Sequence, residues 1–570
     1  MERDEALQLI ETIRSGQFED AFVEVKAAHR QLPKRIYEAI SAFANRTDGG
    51  VIVLGLNEER QFEVVGVIDP QATLAQLMDV AANMEPALRL DALVVPVEGK
   101  HIIVAEVPEC AYTHKPCFYK PAGMNAGSYI RAGNTNRQMT DYEIFSYVSG
   151  RSQPTFDQEP VRQATLDDLD QERVQAHLNK LRRDHPQLWD RLRMSDKPLA
   201  DQLCAINVAI RTNGAVHPTL AGLLCFGVWP QKFFSSLVAT FVRYAGLTPD
   251  EKGPRGERFL DNAKCEGNLA EMVEQAVRRT IANMRQSLLV EGIFHRTLAE
   301  YPEEAIREAV VNAVAHRDYS PMALGSQIRV QMFADRLEIS SPGGLFGAVN
   351  EYNLEEAQST RNQLLMRLLE ELGLVENRGS GIRAMIAAMR EARLEPPRFR
   401  DARNFFQVAF KNASLMSPEA VRWLNQFSSY RLNDNQRMAL AYLHYNEHMT
   451  NSDYRRLNNV YDTYQATREL RELAESGLVE MHASRRWAYY TLSVSPQIEL
   501  MAQQLNPEEQ VIIQQVRQGG SITRQECQEL LKVAPRRASY LLRQMCEKDY
   551  LQRIGQRRWT RYILAEGMIL

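Results

Sequence analysis

The segment SRRWAYYTL at 484–492 returns as QRRWTRYIL at 556–564. A chain that spells a unit twice must fold it twice, and this constrains the architecture more than any bulk property does. The repeat pairs Arg485 with Arg557, Arg486 with Arg558, Trp487 with Trp559, Tyr490 with Tyr562 and Leu492 with Leu564. The same offset matches Leu470, Leu473 and Val479 to Leu542, Met545 and Leu551. With one residue of slippage, Thr450, Leu457 and Val460 match Thr523, Leu530 and Val533. Each copy reads as helix, short helix, turn, longer helix and two strands around a basic tip.

That order is the order of a winged helix-turn-helix, and it predicts two such domains, over 430–495 and 505–570. The longer helix of each copy, within 461–477 and 534–548, is the candidate reader of duplex DNA. Duplex DNA rewards local positive charge through counterion release. The second copy carries Arg536, Arg537 and Arg543 there and is net basic, whereas the first balances its charges. Arg485, Arg486, Arg557 and Arg558 fall on the wings, where arginines reach phosphates. A second reading makes Trp487 and Trp559 core anchors of modules that bind protein. The whole chain does not advertise a polyanion, because 68 Lys and Arg nearly balance 72 Asp and Glu for a net charge of -4. Any nucleic-acid surface must be local.

Upstream, the 570 residues, 44% hydrophobic and 25% charged, call for several compact units rather than a disordered chain. Residues 1–150 mix helix with the strand-like runs VIVLGL (51–56), HIIVAEVPE (101–109) and SYIRAG (128–133), and read as one α+β domain. The polar, aperiodic stretch 151–170 with two prolines reads as a linker, opening a helical connector that extends to about 215. Residues 171–300 read as mostly helical, with one strand-like passage at 235–246, and a larger α/β unit spans 216–415. Seven scattered cysteines without a C-x2-C pair argue against a disulfide framework and a tetrahedral zinc site, and so for a reduced compartment. The charged N-terminus and the lack of an apolar run of about 18 residues point to a cytoplasmic protein with no membrane partner.

Two constellations carry chemistry. In EEAIREAVVNAVAHRDY (303–319), Glu308, Asn312 and His316 lie four apart and share a helix face, while Ile306, Val310 and Val314 form the apolar side. A carboxamide oxygen suits Mg2+ and a carboxylate can take a proton from water. Two alternating strands follow within 326–347, ending in Pro342-Gly343-Gly344, and Gly379-Ser380-Gly381 opens a helix where free amides suit a phosphate. The ordered set of Glu308 with Asn312, SSPGGL, Thr360-Arg361-Asn362 and RGSGI resembles the divergent GHKL-type ATPase domain found in RecG-like proteins. That resemblance implies the Bergerat α/β sandwich of gyrase and histidine kinases and a bound ATP with Mg2+. It makes Asn312 the Mg2+ ligand and Glu308 the general base. It also puts His316, Arg361, Asn362, Gly343, Gly344, Gly379, Ser380 and Gly381 around the nucleotide. The chain departs from the family where Ser340-Ser341-Pro342-Gly343-Gly344 replaces the D-x-G-x-G loop whose Asp reads the adenine amino group. No G-x4-G-K-[ST] occurs, the nearest fragment being Gly99-Lys100-His101, so a helicase motor is not expected.

The second constellation is FEDAFVEVK (18–26) with SAFANRTDGGVIVLGLNEE (41–59). Glu24 and Lys26 share one side if the segment is a strand. The pattern resembles the AlbA-like domain shared with Schlafen proteins, with Arg131 and Gly133 at the family's later R-x-G. In nucleolytic Schlafens three acidic residues hold a metal that cleaves RNA, which here implies Glu19, Glu24 and Glu58 as candidate carboxylates for Mg2+ or Mn2+, beside Lys26. The other reading pairs Glu24 with Lys26 structurally and leaves Lys34, Arg35, Arg46 and Arg131 to bind nucleic acid.

The expected whole is a multidomain α+β protein: an AlbA/Schlafen-like domain, a GHKL domain and two winged helices. Its expected function is an ATP-binding, DNA-binding transcriptional regulator acting as a homo-oligomer on DNA or RNA. The alternative is a metal-dependent nuclease effector in anti-phage defence gated by the ATPase domain. A third reading leaves the nucleotide site vestigial.

Overall fold

The computed structural model describes residues 2–564 apart from 17–21, 254, 292–293, 352, 376–380, 393, 413–419, 421–422, 428–429, 459, 461, 483–487, 494–507, 510, 513–514, 517–520, 532, 549–550 and 555–560. For 15–16, 286–291, 294–299, 529, 536, 547, 554 and 564 it describes the backbone alone. Contacts divide the chain into two compact units, Met1–Ser414 and Leu415–Leu570.

The first unit opens with a four-stranded sheet in the order Val23–Lys26, Gly50–Leu54, Lys100–Val107, Asp91–Val97. Only the first pair is parallel. Strand side chains alternate between faces, and here both faces are covered, which is why VIVLGL is apolar without a break. Val51 and Val53 pack with Ala6, Ile10 and Ile13 of helix Arg3–Gly16. Ile52 and Leu54 pack with Ile40 and Phe43 of helix Ile36–Asn45 on the opposite side. Asn45 ends that helix fully buried and acts as a clamp. Its Nδ2 donates to the Cys117 and Tyr129 carbonyls at 2.8 and 3.1 Å, and its Oδ1 accepts from the Cys117 amide at 2.7 Å.

Residues 151–170, expected to be a loose linker, are part of the core instead. Val161, Ala164 and Leu169 are buried with the following domain. Asp157 is 1% exposed and its Oδ2 accepts from the Leu365 amide at 3.0 Å, in the first turn of helix Gln363–Glu371. A carboxylate at a helix N-terminus satisfies an orphan donor and complements the dipole. Polar composition read as solvent exposure because the partners of Gln153 and Asp157 lie some 200 positions away.

The second part of the unit is a six-stranded sheet ordered Phe259–Cys265, Ala239–Tyr244, Ile328–Met332, Arg336–Pro342, Phe405–Lys411, Arg398–Asp401. Ala239–Tyr244 and Ile328–Met332 run parallel, and the other neighbours are antiparallel. Helices Leu269–Asn283, Glu303–Ala315 and Gly381–Glu391 pack together, the first two against the sheet. This is a two-layer α/β sandwich. The expectation that 171–300 is mostly helical missed the hairpin Ala209–Thr212 with Ala215–Pro218, edge strand Phe259–Cys265 and paired strands Gln286–Glu291 and Phe294–Ala299. The edge strand carries Asp261 and Lys264 and is mostly exposed, so its pairing partner, not its hydrophobicity, makes it a strand.

The unit Leu415–Leu570 folds its repeat twice. The first copy places helices Asp434–Tyr445, Asn451–Asn458 and Thr463–Glu475 on a three-stranded sheet ordered Met449–Thr450, Tyr489–Leu492, Val479–His482. The second copy has helices Arg524–Leu531 and Pro535–Glu547 followed by the hairpin Leu551–Ile554 with Arg561–Leu564. Matched residues take matched places: Leu470, Leu473 and Val479 are buried in one core, Leu542, Met545 and Leu551 in the other. The mismatch is Leu530, exposed where Leu457 is buried.

Asn45→Ala strands the buried Cys117 amide and removes a donor from the Tyr129 carbonyl, while Ser41 Oγ still serves the Cys117 carbonyl at 2.7 Å. An unsatisfied buried group costs about 1–3 kcal/mol, so the variant should lower the urea midpoint of the N-terminal domain by the equivalent of about 2 kcal/mol or more, and an unchanged midpoint would refute the clamp.

Candidate functional site

Helix Glu303–Ala315 presents its polar stripe to a cavity of about 180 Å³, far above the 10–15 Å³ that holds one water. Ile306, Val310 and Val314 are buried in the core, as the period demands. Glu308, Asn312 and His316 line the cavity together with Gly343, Gly344, Arg361 and Gly381. The Asn312 Nδ2 donates to Glu308 Oε1 at 3.0 Å, which orients the carboxamide and leaves its oxygen as an acceptor.

The glycines are there for close approach. A Cβ on Gly381 would stand 1.8 Å from Glu308 Oε1. Gly343 sits at φ +92, a region that disfavours L side chains, and a Cβ there would meet the Arg361 guanidinium at 2.3 Å. Arg361 is 5% exposed; its Nη2 donates to the Gly344 carbonyl at 3.1 Å and its Nη1 lies 3.5 Å from Asp318 Oδ2 without a hydrogen bond among the described residues. Ser341 Oγ donates its hydrogen to the Ala313 carbonyl at 2.6 Å, so toward the cavity it offers lone pairs only.

His316 caps the helix at the cavity mouth, where water reaches it, while protein surrounds its remaining sides. The crowding of protein around the ring first, and the Arg361 charge second, hold its pKa below the ordinary imidazole range, while the exposed edge of the ring limits the shift. The ring is therefore neutral at pH 7.

Asn362 departs from expectation. It is 2% exposed, does not line the cavity, and its Nδ2 donates to the Ala315 and Arg317 carbonyls at 3.0 and 2.8 Å. Its amide finishes the end of helix Glu303–Ala315, a task that the adjacent Arg361 hid in the motif. Gly379 and Ser380 lie outside the described residues.

Sequence reasoning missed the cavity's second support. Tyr142, from helix Asp141–Gly150 of the N-terminal domain, donates to Asp318 Oδ2 at 2.7 Å. Gln153 Nε2 donates to the Thr360 and Arg361 carbonyls at 3.1 and 2.8 Å. Tyr112 meets Phe346 edge to face, with centroids 6.5 Å apart. The signal for Asp318 was visible as a charged pair, Arg317-Asp318, ending an apolar helix; nothing local flags Tyr142.

In the N-terminal domain the structure brings Glu24, Lys26 and Arg131 together. Glu24 is 5% exposed, 2.9 Å from Lys26 Nζ, bonded to Arg131 Nη1 and accepting from Asn136 Nδ2 at 3.2 Å. Glu58, on a surface turn, reaches Lys26 only at 3.9 Å. Arg131 has a side chain 1% exposed, also donating to the Val23 carbonyl at 2.7 Å, so its guanidinium is a structural partner of Glu24. Lys34 and Arg35 are exposed, Arg35 pairing with Glu38 at 2.5 Å. Glu19 lies outside the described residues. Among the described residues no three His, Cys, Asp or Glu side chains converge as a metal site.

In the C-terminal unit Arg537 and Arg543 are exposed on helix Pro535–Glu547, Arg537 bonding Glu508 at 2.7 Å. Arg485, Arg486, Arg557 and Arg558, and the side chain of Arg536, lie outside the described residues, as do Trp487 and Trp559.

Three family models match the chain. The Schlafen AlbA_2 model matches residues 19–140. The model described as "Putative ATP-dependent DNA helicase recG C-terminal" matches residues 325–410. A domain of unknown function, DUF8451, matches residues 146–234, across the stretch read as linker and connector. No curated protein matches the chain. Among solved structures, a Corynebacterium diphtheriae protein is 17% identical, covering 99% of each chain at a TM-score of 0.35. The N-terminal domain of a RecG-related protein from Nitrosomonas europaea is 30% identical over 25% of this chain and 95% of that one, at a TM-score of 0.20. The chain thus carries a Schlafen-type AlbA_2 domain and a RecG C-terminal ATPase-type domain, the domain types of a nucleic-acid-related, ATP-binding protein. The ATPase-type match begins beyond Glu308 and Asn312, so the part assigned to these two rests on the cavity geometry. Among the described residues no helix is long and apolar enough to cross a membrane.

Because the folded protein holds His316 neutral, protonation favours the unfolded chain. The stability that the neutral ring carries is complete above about pH 6.5 and is lost as pH falls below it. His316→Gln should flatten that part of a plot of melting temperature against pH; an identical acid limb in the two proteins would contradict the lowered pKa.

Proposed function

We propose that this chain is an ATP-binding, nucleic-acid-binding regulator, with a nucleotide in the cavity of the six-stranded-sheet domain and nucleic acid held by the N-terminal domain and by the C-terminal unit. The observation that carries the reading is the convergence in one cavity of the Glu308–Asn312 pair, the Gly343–Gly344 backbone and a buried guanidinium whose Nη1 lacks a hydrogen bond. An arginine in that state suits a phosphate, which accepts charge-assisted hydrogen bonds. The residues fit a divalent cation as well: Asn312 offers a neutral oxygen beside the carboxylate of Glu308. Mg2+ held there with the phosphates would supply neutralisation of their charge. Glu308 is the carboxylate to take a proton from water, and neutral His316 adds no competing charge at the mouth.

Ser341 supports adenine as the base. With its hydrogen spent on Ala313, Oγ accepts from an exocyclic amino group and has nothing to donate to the carbonyl that guanine carries in the same place. It does the work of the Asp that the D-x-G-x-G loop lacks here.

For the N-terminal domain, the ion pairs on Glu24 favour binding over cleavage. A carboxylate already neutralised by Lys26 and Arg131 has little to offer a metal unless both partners move. For the C-terminal unit, the order and packing of its two copies support a pair of winged helices, with the helix bearing Arg537 and Arg543 against duplex phosphates. We read the whole as a transcriptional regulator that works as a homo-oligomer.

ATP with Mg2+ should raise the melting temperature of the full chain, and Asn312→Ala should abolish the rise; no rise in the parent would leave the site vestigial. Ser341→Ala should cut the preference for ATP over GTP by about tenfold, the value of one lost hydrogen bond. With labelled tRNA, single-stranded and duplex DNA, we expect retention without cleavage. Arg537→Glu combined with Arg543→Glu should weaken duplex binding by about tenfold or more at low salt. Degradation with Mg2+ or Mn2+ that disappears in Glu24→Gln would instead support the defence-nuclease reading.

A further inference from the structure

Gly344 lines the nucleotide cavity and backs directly onto Asp401 and Arg403, where a Cβ would come within 2.4 Å of the Asp401 carboxylate. Asp401 and Arg403 line a second cavity of about 420 Å³, which no part of the proposed function uses. It lies between the N-terminal domain and the edge of the six-stranded sheet. The N-terminal domain contributes Arg46, just beyond helix Ile36–Asn45, with Arg131 and Arg137 from the hairpin Tyr129–Ala132 and Thr135–Gln138. The sheet contributes Arg400 and Arg403.

Three carboxylates, Glu143, Glu351 and Asp401, also line the cavity, and Arg131 is already paired with Glu24 behind it, so the five guanidinium groups leave an excess of one positive charge. The arginines are held in place rather than waving in solvent. Arg137 makes a two-pronged bridge to buried Glu143, at 3.1 and 2.6 Å. Arg403 lies 3.3 Å from Asp401 and over the Tyr147 ring at 5.2 Å. Arg46 covers the Phe22 ring at 3.4 Å and Arg131 the Phe43 ring at 5.1 Å. Arg400 stands exposed over Phe405 at 5.7 Å and has no carboxylate partner among the described residues. Rigid guanidinium forks lose little entropy when they bind, and their geometry matches phosphate oxygens.

We infer that this cavity binds a phosphate-bearing ligand of nucleotide size, its phosphodiester gripped by arginines from both domains at once. A small carboxylate would neutralise the charge but leave most of the 420 Å³ to water. A nucleotide matches both charge and volume. Since Arg46 and Arg400 belong to different domains, an occupant ties the N-terminal domain to the sheet across the wall of the ATP-type cavity. The phosphodiester can belong to a free dinucleotide or to the end of a nucleic-acid strand.

The test uses the full chain with Asn312→Ala, which silences the first cavity, and two probes: 5′-phosphorylated dithymidylate and a 5′-phosphorylated single-stranded 12-mer. Binding is read by calorimetry and by melting shift. Parent and Asn312→Ala should bind alike, and adding Arg400→Glu or Arg46→Glu should weaken binding by roughly tenfold or more, as expected for a lost charge-assisted hydrogen bond. Arg400 is exposed, so the melting temperature of its variant without probe should stay near the parent's and separate lost binding from lost folding. Binding of both probes assigns the site to small nucleotides. Binding of the 12-mer alone, lost in the same variants, assigns it to a strand. Binding of neither probe, or binding that both reversals leave intact, overturns the inference.

Discussion

A buried guanidinium organises the first unit. Arg361 is removed from water, and a charge so placed costs several kcal/mol unless it is paired. Asp318 at 3.5 Å and the Gly344 carbonyl at 3.1 Å compensate part of that cost and leave Nη1 buried in the cavity wall without a hydrogen bond among the described residues. Asp318 cannot stand alone either: the Ser320 amide and the Tyr142 hydroxyl satisfy it, at 2.8 and 2.7 Å. Tyr142 belongs to the N-terminal domain, and burial first, with the Asp318 charge next, pushes its hydroxyl well above the usual phenol range. It stays a donor at any physiological pH. The electrostatics of the cavity and the seating of the N-terminal domain are thus one constraint. On the proposed function, a phosphate drawn to Arg361 would alter the demand on Asp318, which is held from the neighbouring domain.

The same physics governs Glu24. A carboxylate 5% exposed must be neutralised, and the chain neutralises it with Arg131, 107 positions away, and Lys26. The residues that suggest a nuclease are also those a buried ion pair requires. What separates the two roles is who occupies the carboxylate oxygens, and that is a matter of distances rather than of residue types.

Much of the central site was legible in advance. The four-residue spacing of Glu308, Asn312 and His316 against an apolar stripe survives because a helix has one period and a core has one side. The strand pair ending in Pro342-Gly343-Gly344 was equally readable from its alternation. Asn362 misled because a motif does not say which of two adjacent polar side chains lines the cavity. The stretch 151–170 misled because Asp157 finds its partner at Leu365, and composition carries no record of partners. The hairpin at 209–218, the edge strand Phe259–Cys265 and the pair Gln286–Glu291 with Phe294–Ala299 escaped notice because edge strands and hairpins take their order from backbone pairing rather than from a hydrophobic pattern.

Sequence alone determined the local periodicities: the doubled unit in the last third of the chain, the apolar run that had to be a strand buried on both faces, and the helix that sets a carboxylate beside a carboxamide. These follow from 3.6- and 2-residue repeats, which depend on neighbours a few positions away. Tertiary structure alone decided that Arg131 would be consumed by Glu24, that Tyr142 would brace Asp318, and that five arginines from two domains would meet around one cavity. Those outcomes belong to groups far apart in the chain, where the cost of burying a charge, not any local pattern, selects the partner.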